Sequence, residues 1–108
     1  MFFFFNQGTA QKNKAKLAEL IQNKALLVDV RTPAEFVEGS APGAINIPLD
    51  QIHLNLDKFK NQSGIIVFCR SGNRSSQAKA ILEKSGFQEV YNGGTWNDVS
   101  EIIKSLKN

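Results

Sequence analysis

One cysteine, one histidine and one tryptophan are all that 108 residues hold of three chemically versatile side chains, and no apolar run is long. A single cysteine, Cys69, excludes an internal disulfide and a thioredoxin-like dithiol, and a lone His53 excludes the usual zinc constellations. No metal and no other cofactor is expected. No stretch approaches the ~20 apolar residues of a membrane span. The run Phe2-Phe3-Phe4-Phe5 is shorter than the roughly 7–15 residue core of a secretory signal, has no Lys or Arg before it, and gives way to Asn6-Gln7-Gly8. It is expected to form an edge strand or to pack across the surface, in an N-terminal extension over 1–12 that precedes a single domain over 13–108. Cytoplasmic residence is the expectation, and it would keep Cys69 reduced. Strong charge of one sign is lacking too. A net charge of +3 suits a small anionic substrate but not nucleic acid.

What is present is concentrated around Cys69. The apolar run Ile65-Ile66-Val67-Phe68 precedes it, the loop Arg70-Ser71-Gly72-Asn73-Arg74 follows, and an Ala/Leu-rich helical pattern comes next. A thiol set between a buried strand and a helix N-terminus, flanked by two arginines, is placed to ionise, because both features favour the thiolate. Free cysteine is often an inert core residue. Here Ser71, Gly72 and Asn73 tolerate the dihedrals that turn successive N–H groups inward to cradle an anion, and Ser75 stands at the expected helix start. Cys69 is therefore read as a nucleophile. Arg70 is expected to face the mouth and meet the substrate's charge, and Arg74 to be held by Asp29 or Glu35. His53 is expected on the surface.

Along the chain, Leu17, Leu20 and Ile21 recur at helical spacing and Leu26 to Val30 reads as a buried strand. Thr32-Pro33-Ala34-Glu35 carries the marks of a helix start, with a capping threonine, proline at the first position and glutamate three residues after the cap. Ala44 to Ile47 predicts a short strand stopped by Pro48. Ile52, Leu56 and Phe59 predict an amphipathic helix, and Glu89 to Tyr91 a last strand. Asn92-Gly93-Gly94 predicts a turn into a final helix capped by Thr95 and Asp98. Alternation of this kind implies an α/β fold, a small mainly parallel sheet of four or five strands with helices on both faces, whose strand-to-helix loops gather at one rim.

From about Leu20 to Asn97 the chain resembles the single-domain rhodaneses, a family of sulfurtransferases. The resemblance is carried by Leu27-Val28-Asp29-Val30-Arg31-Thr32-Pro33-Ala34-Glu35-Phe36, by Pro42-Gly43-Ala44-Ile45-Asn46-Ile47-Pro48-Leu49, by Cys69 through Ser75, and by Gly86-Phe87 with Val90-Tyr91-Asn92-Gly93-Gly94. It implies that Cys69 takes sulfur from an anionic donor such as thiosulfate, becomes a persulfide, and passes the sulfur to cyanide, a small thiol or a protein cysteine. The backbone amides of Arg70, Ser71, Gly72, Asn73 and Arg74 would surround the sulfur. Asp29 and Arg31 match a common sequence of the family, and both a catalytic role and a structural ion pair to Glu35 or the cradle stand open for them. Ser40-Ala41 departs from the histidine and isoleucine of many relatives. Two other functions are weighed. A cysteine phosphatase or arsenate reductase has a loop one residue longer than the four residues between Cys69 and Arg74. A non-catalytic binding or sulfur-carrier module commonly lacks the cysteine retained here.

Overall fold

Four parallel strands, β1 (Leu26–Asp29), β2 (Ile45–Asn46), β3 (Ile65–Cys69) and β4 (Val90–Thr95), form one sheet in the order β2-β1-β3-β4. The structure is a computed structural model that describes residues 13–107. The expected extension over 1–12, with Phe2 to Phe5, lies outside the described residues. Helix α1 is seen over 13–22, followed along the chain by α2 (Pro33–Glu38), α3 (Asn73–Lys84) and α4 (Trp96–Leu106). Among the described residues no helix is long and apolar enough to cross a membrane.

The alternation of side chains along β3 divides the core. Ile65, Val67 and Cys69 point to one face, where they join Val28, Val30, Ile52, Phe59 and the α3 residues Ala78 and Leu82. Ile66 and Phe68 point to the other, against Leu17 and Leu20 of α1 and Val99, Ile102 and Ile103 of α4. Both faces of the sheet are thus covered, and all five residues of β3 are buried. Because every strand runs the same way, the ends of β1, β3 and β4 meet at one rim, as the alternating pattern implies.

Two expected elements differ. Ile52, Leu56 and Phe59 lie not on one α-helix but on two tighter 3-10 turns, Leu49–Leu54 and Leu56–Phe59. Asn55 separates them in a non-helical conformation, and its side chain donates to Gln51 O at 2.8 Å. This local bond competes with continuation of a helix. Ile52 and Phe59 are buried all the same, so the apolar spacing identified the right side chains on the wrong kind of helix. His53 is exposed on the first of these turns.

Asn92-Gly93-Gly94 is strand rather than turn. β4 continues to Thr95, and Gly93 is the extra residue of a bulge: Asn92 pairs with Val67, and Gly94 with Phe68. The glycine pair answers to packing. A Cβ on Gly93 would come within 2.7 Å of Val99 Cγ2 and 2.9 Å of Ile66 Cγ2, so α4 lies directly on the bare backbone. Gly93→Ala is expected to destabilise the protein by about 1–3 kcal/mol, the usual cost of overpacking a filled core. Denaturant melts of the two proteins check it, and an unchanged midpoint would show that α4 is free to move away.

Candidate active site

Cys69 ends β3, and the chain turns at once into α3. The turn is made by Gly72, whose φ of 94° lies in the left-handed region that favours glycine. That conformation points the Gly72 N–H at the sulfur, 2.9 Å from Sγ. Ser75, in the first turn of α3, brings Oγ to 3.5 Å from Sγ. Both Cys69 and Ser75 are fully buried. The sulfur lies at the floor of its own loop, at the positive end of α3.

These contacts set the thiol's acidity. Burial pushes Cys69 up, but the Ser75 hydroxyl and the N–H groups of Ser75, Ser71 and Gly72 outweigh it and bring it from 9.0 down to about 7. The thiolate is therefore more accessible near neutral pH than for a free thiol. The cradle is narrower than the loop sequence suggests. The Asn73 N–H is directed at Ser71 Oγ, 3.4 Å away, and Ser71 and Asn73 are exposed.

The two arginines of the loop separate. Arg74 makes a bidentate pair with Glu35, Nη1 to Oε1 at 2.8 Å and Nη2 to Oε2 at 3.1 Å. Glu35 is also the third residue of α2 and closes its capping box: Thr32 N–H donates to Oε1 at 3.0 Å, and Glu35 N–H donates to Thr32 Oγ1 at 3.3 Å. Arg74 first, and Thr32 second, hold the Glu35 carboxyl down at about 2. Arg70 is exposed, and no carboxylate among the described residues pairs with it.

Asp29 and Arg31 pair with each other rather than with Glu35 or the cradle. Arg31 Nη2 donates to Asp29 Oδ2 at 2.7 Å and to Gly39 O at 2.6 Å, and its guanidinium lies 5.2 Å from the centre of the Trp96 ring. Ser40, at the position where relatives differ, donates to Asp29 Oδ2 at 2.7 Å. By the alternation of β1 this buried pair lies on the α4 face of the sheet, opposite the face that Cys69 points to. It fixes the loop after α2 to the end of β1. Asn92 is the site residue that the sequence reading placed in a turn. Its side chain bonds Ser75, Gly72 and Gly94. The signal was its spacing from Val90, which puts a polar residue at an inward position of the strand.

A family model described as the Rhodanese-like domain matches residues 13–97. A sulfurtransferase of Allochromatium vinosum is 40% identical over 67 residues, which are 62% of this chain and 63% of that protein, so the chain spans a little under two thirds of that relative's length. Thiosulfate sulfurtransferase PspE of Escherichia coli is 36% identical over 76 residues, covering 68% of this chain and 72% of that one. A solved structure described as a rhodanese with anions from E. coli superposes with a TM-score of 0.63 at 33% identity, over 68% of this chain and 88% of that chain.

Alkylation of Cys69 followed against pH is expected to show a midpoint near 7, where a free thiol gives about 8.5. A midpoint at the free-thiol value would mean that the loop does not stabilise an anion. For the Arg74–Glu35 pair, whose side chains are 34% and 26% exposed, Arg74→Ala and Glu35→Gln are each expected to lower stability by about 1 kcal/mol at pH 7, with the double variant losing less than the sum. Because the Glu35 carboxyl is depressed on folding, this contribution is complete above about 4.5 and fades as pH falls toward 2. Denaturant unfolding at several pH values should therefore show Glu35→Gln converging on the parent in acid. A gap that persisted at the lowest pH would place the effect elsewhere.

Proposed function

The chain belongs to the rhodanese-like family, and from that premise we propose that it is a sulfurtransferase working through a persulfide on Cys69. The observation that carries the reading is the Gly72 N–H held 2.9 Å from the Cys69 sulfur, with the Ser75 hydroxyl 3.5 Å away, at the start of α3. The Cys69 thiolate attacks the outer sulfur of a donor such as thiosulfate. A new S–S bond forms, the donor's S–S bond breaks, and its electron pair leaves with sulfite. An acceptor nucleophile (cyanide, a small thiol or a protein cysteine) then attacks the outer sulfur, and Cys69 departs as the thiolate. Sulfite is a weak base and leaves without a general acid, by the logic of thiol exchange. The absence of a histidine from the loop is thus no obstacle, and His53 lies exposed on a 3-10 turn.

Each part of the site takes a role in this scheme. The amides of Ser71, Gly72 and Ser75 lower the cost of the thiolate. Arg70, exposed and without a carboxylate partner among the described residues, attracts the donor's charge. Arg74, tied to Glu35, keeps the start of α3 against α2. Since the sulfur is fully buried, attack on the donor requires the loop around it to open. The transferred sulfur then takes over the N–H groups that faced Sγ. A reducing, cytoplasm-like setting suits a thiol used in this way.

Incubation with thiosulfate is expected to add the mass of one sulfur atom to the intact protein, and cyanide to remove it. Cys69→Ser should gain nothing and should lose sulfur transfer to background, because a serine hydroxyl is not ionised near neutral pH, while its unfolding midpoint stays close to the parent's. An unmodified parent protein, or a Cys69→Ser variant that still transfers sulfur, would sink the reading.

A further inference from the structure

The side chain of Asn92 is fixed in orientation by two groups that each have one possible role. Its Nδ2 donates to Gly72 O at 3.1 Å, and a carbonyl can only accept. Its Oδ1 accepts from the Gly94 N–H at 2.9 Å, and an amide N–H can only donate. The same Oδ1 lies 2.7 Å from Ser75 Oγ, so the proton in that bond belongs to Ser75. A serine hydroxyl has one proton. While that proton is on Asn92, Ser75 Oγ meets Cys69 as an acceptor, and the 3.5 Å contact is a bond from the neutral S–H.

On ionisation the thiol's proton leaves to water, and Sγ and Ser75 Oγ would face each other as two acceptors. The Ser75 hydroxyl must then turn its own proton from Asn92 to the sulfur. Asn92 Oδ1 keeps the Gly94 N–H, so it is not left bare when Ser75 turns away. We propose that Asn92 is a positioning residue for the nucleophile and acts through Ser75, holding the serine proton while Cys69 is a thiol and releasing it to the thiolate. Asn92 thereby competes with the sulfur for one hydrogen bond, and it opposes ionisation while it keeps the cradle in place. The inference deepens the sulfurtransferase reading and rests on Cys69 being its nucleophile.

The sign of the effect separates this role from a scaffold's. Loss of a scaffold loosens the cradle and moves Cys69 up toward the free thiol. Removal of a competitor leaves Ser75 one target, the sulfur, and moves Cys69 down. The charges around the site are unchanged in the alanine variants: Arg74, whose charge interacts with Cys69, the exposed Arg70 next to Cys69 in the chain, Glu35 of α2 paired with Arg74, the Asp29–Arg31 pair at the end of β1, and Asp98 of α4 near Gly94.

The experiment is the ultraviolet absorbance of the thiolate against pH, without any sulfur donor, for the parent, Asn92→Ala, Asn92→Asp, Ser75→Ala and the two double variants. Asn92→Ala is expected to lower the midpoint by about half to one pH unit, the worth of one neutral hydrogen bond on that scale. In the Ser75→Ala background the same substitution should move nothing. Asn92→Asp keeps an acceptor for Ser75 and adds charge, so it should raise the midpoint, and by less when Ser75 is alanine. The proposal is overturned if Asn92→Ala raises the midpoint, or if the shift is the same with and without Ser75. Should Asn92→Ala not fold, the Asn92→Asp pair decides by the second criterion alone. The mass gain of the parent with thiosulfate, measured in parallel, tests sulfur transfer separately.

Discussion

The left-handed turn at Gly72 is the constraint on which the site depends. It ends a strand that carries Cys69 inward, starts a helix whose positive end faces the same atom, and points one N–H at the sulfur. Burial opposes a thiolate at this depth, and donors from Ser71, Gly72 and Ser75 reverse that opposition by their number and aim. A fully buried thiol with ordinary surroundings would be inert. The Ser75 hydroxyl leads these donors, and the turn at Gly72 is what brings the start of α3, and Ser75 with it, up to the sulfur.

Two anchors hold the segments at this rim, and they differ in kind. The Glu35 carboxylate serves four donors at once, the N–H and hydroxyl of Thr32 at the cap of α2 and the two guanidinium nitrogens of Arg74, so the start of one helix is bound to the start of another. The Asp29–Arg31 pair is buried, where separating charge from water is costly, and it survives because Ser40, Gly39 and the Trp96 ring complete its surroundings. One anchor lies on the rim and answers to pH. The other is closed off beneath the sheet and holds the loop after α2 against the first turn of α4.

Most of this was legible in the sequence, and the reasons differ by residue. Thr32-Pro33-Ala34-Glu35 signals its helix because the capping bonds are local, and Cys69 through Ser75 signals the cradle because a strand, a glycine turn and a helix follow in order. Arg74's partner was narrowed to Asp29 or Glu35, and the bidentate geometry selects Glu35. The two elements that differ have different causes, one distant and one local. Gly93 looks like a turn until α4 is placed against it, and Ile52 to Phe59 looks like an α-helix until Asn55 turns its side chain back on the chain. Asn92 is not legible as a site residue because two of its three partners, Ser75 and Gly72, lie on a segment that only the folded sheet brings to it.

The bulge in β4 also bears on how this chain tolerates changes of length. Ordinarily, removing one residue from a strand turns every later side chain to the opposite face. Here Gly93 is supernumerary: residues on either side of it already keep step with β3, Asn92 with Val67 and Gly94 with Phe68. A deletion at this point would close the ladder and leave Thr95 still opposite Cys69. What it would take away is the out-of-line Gly94 N–H that fixes the amide of Asn92. The sheet could therefore lose a residue within its own interior and keep its register, and the loss would show in the seat of α4 and in the chemistry at the rim.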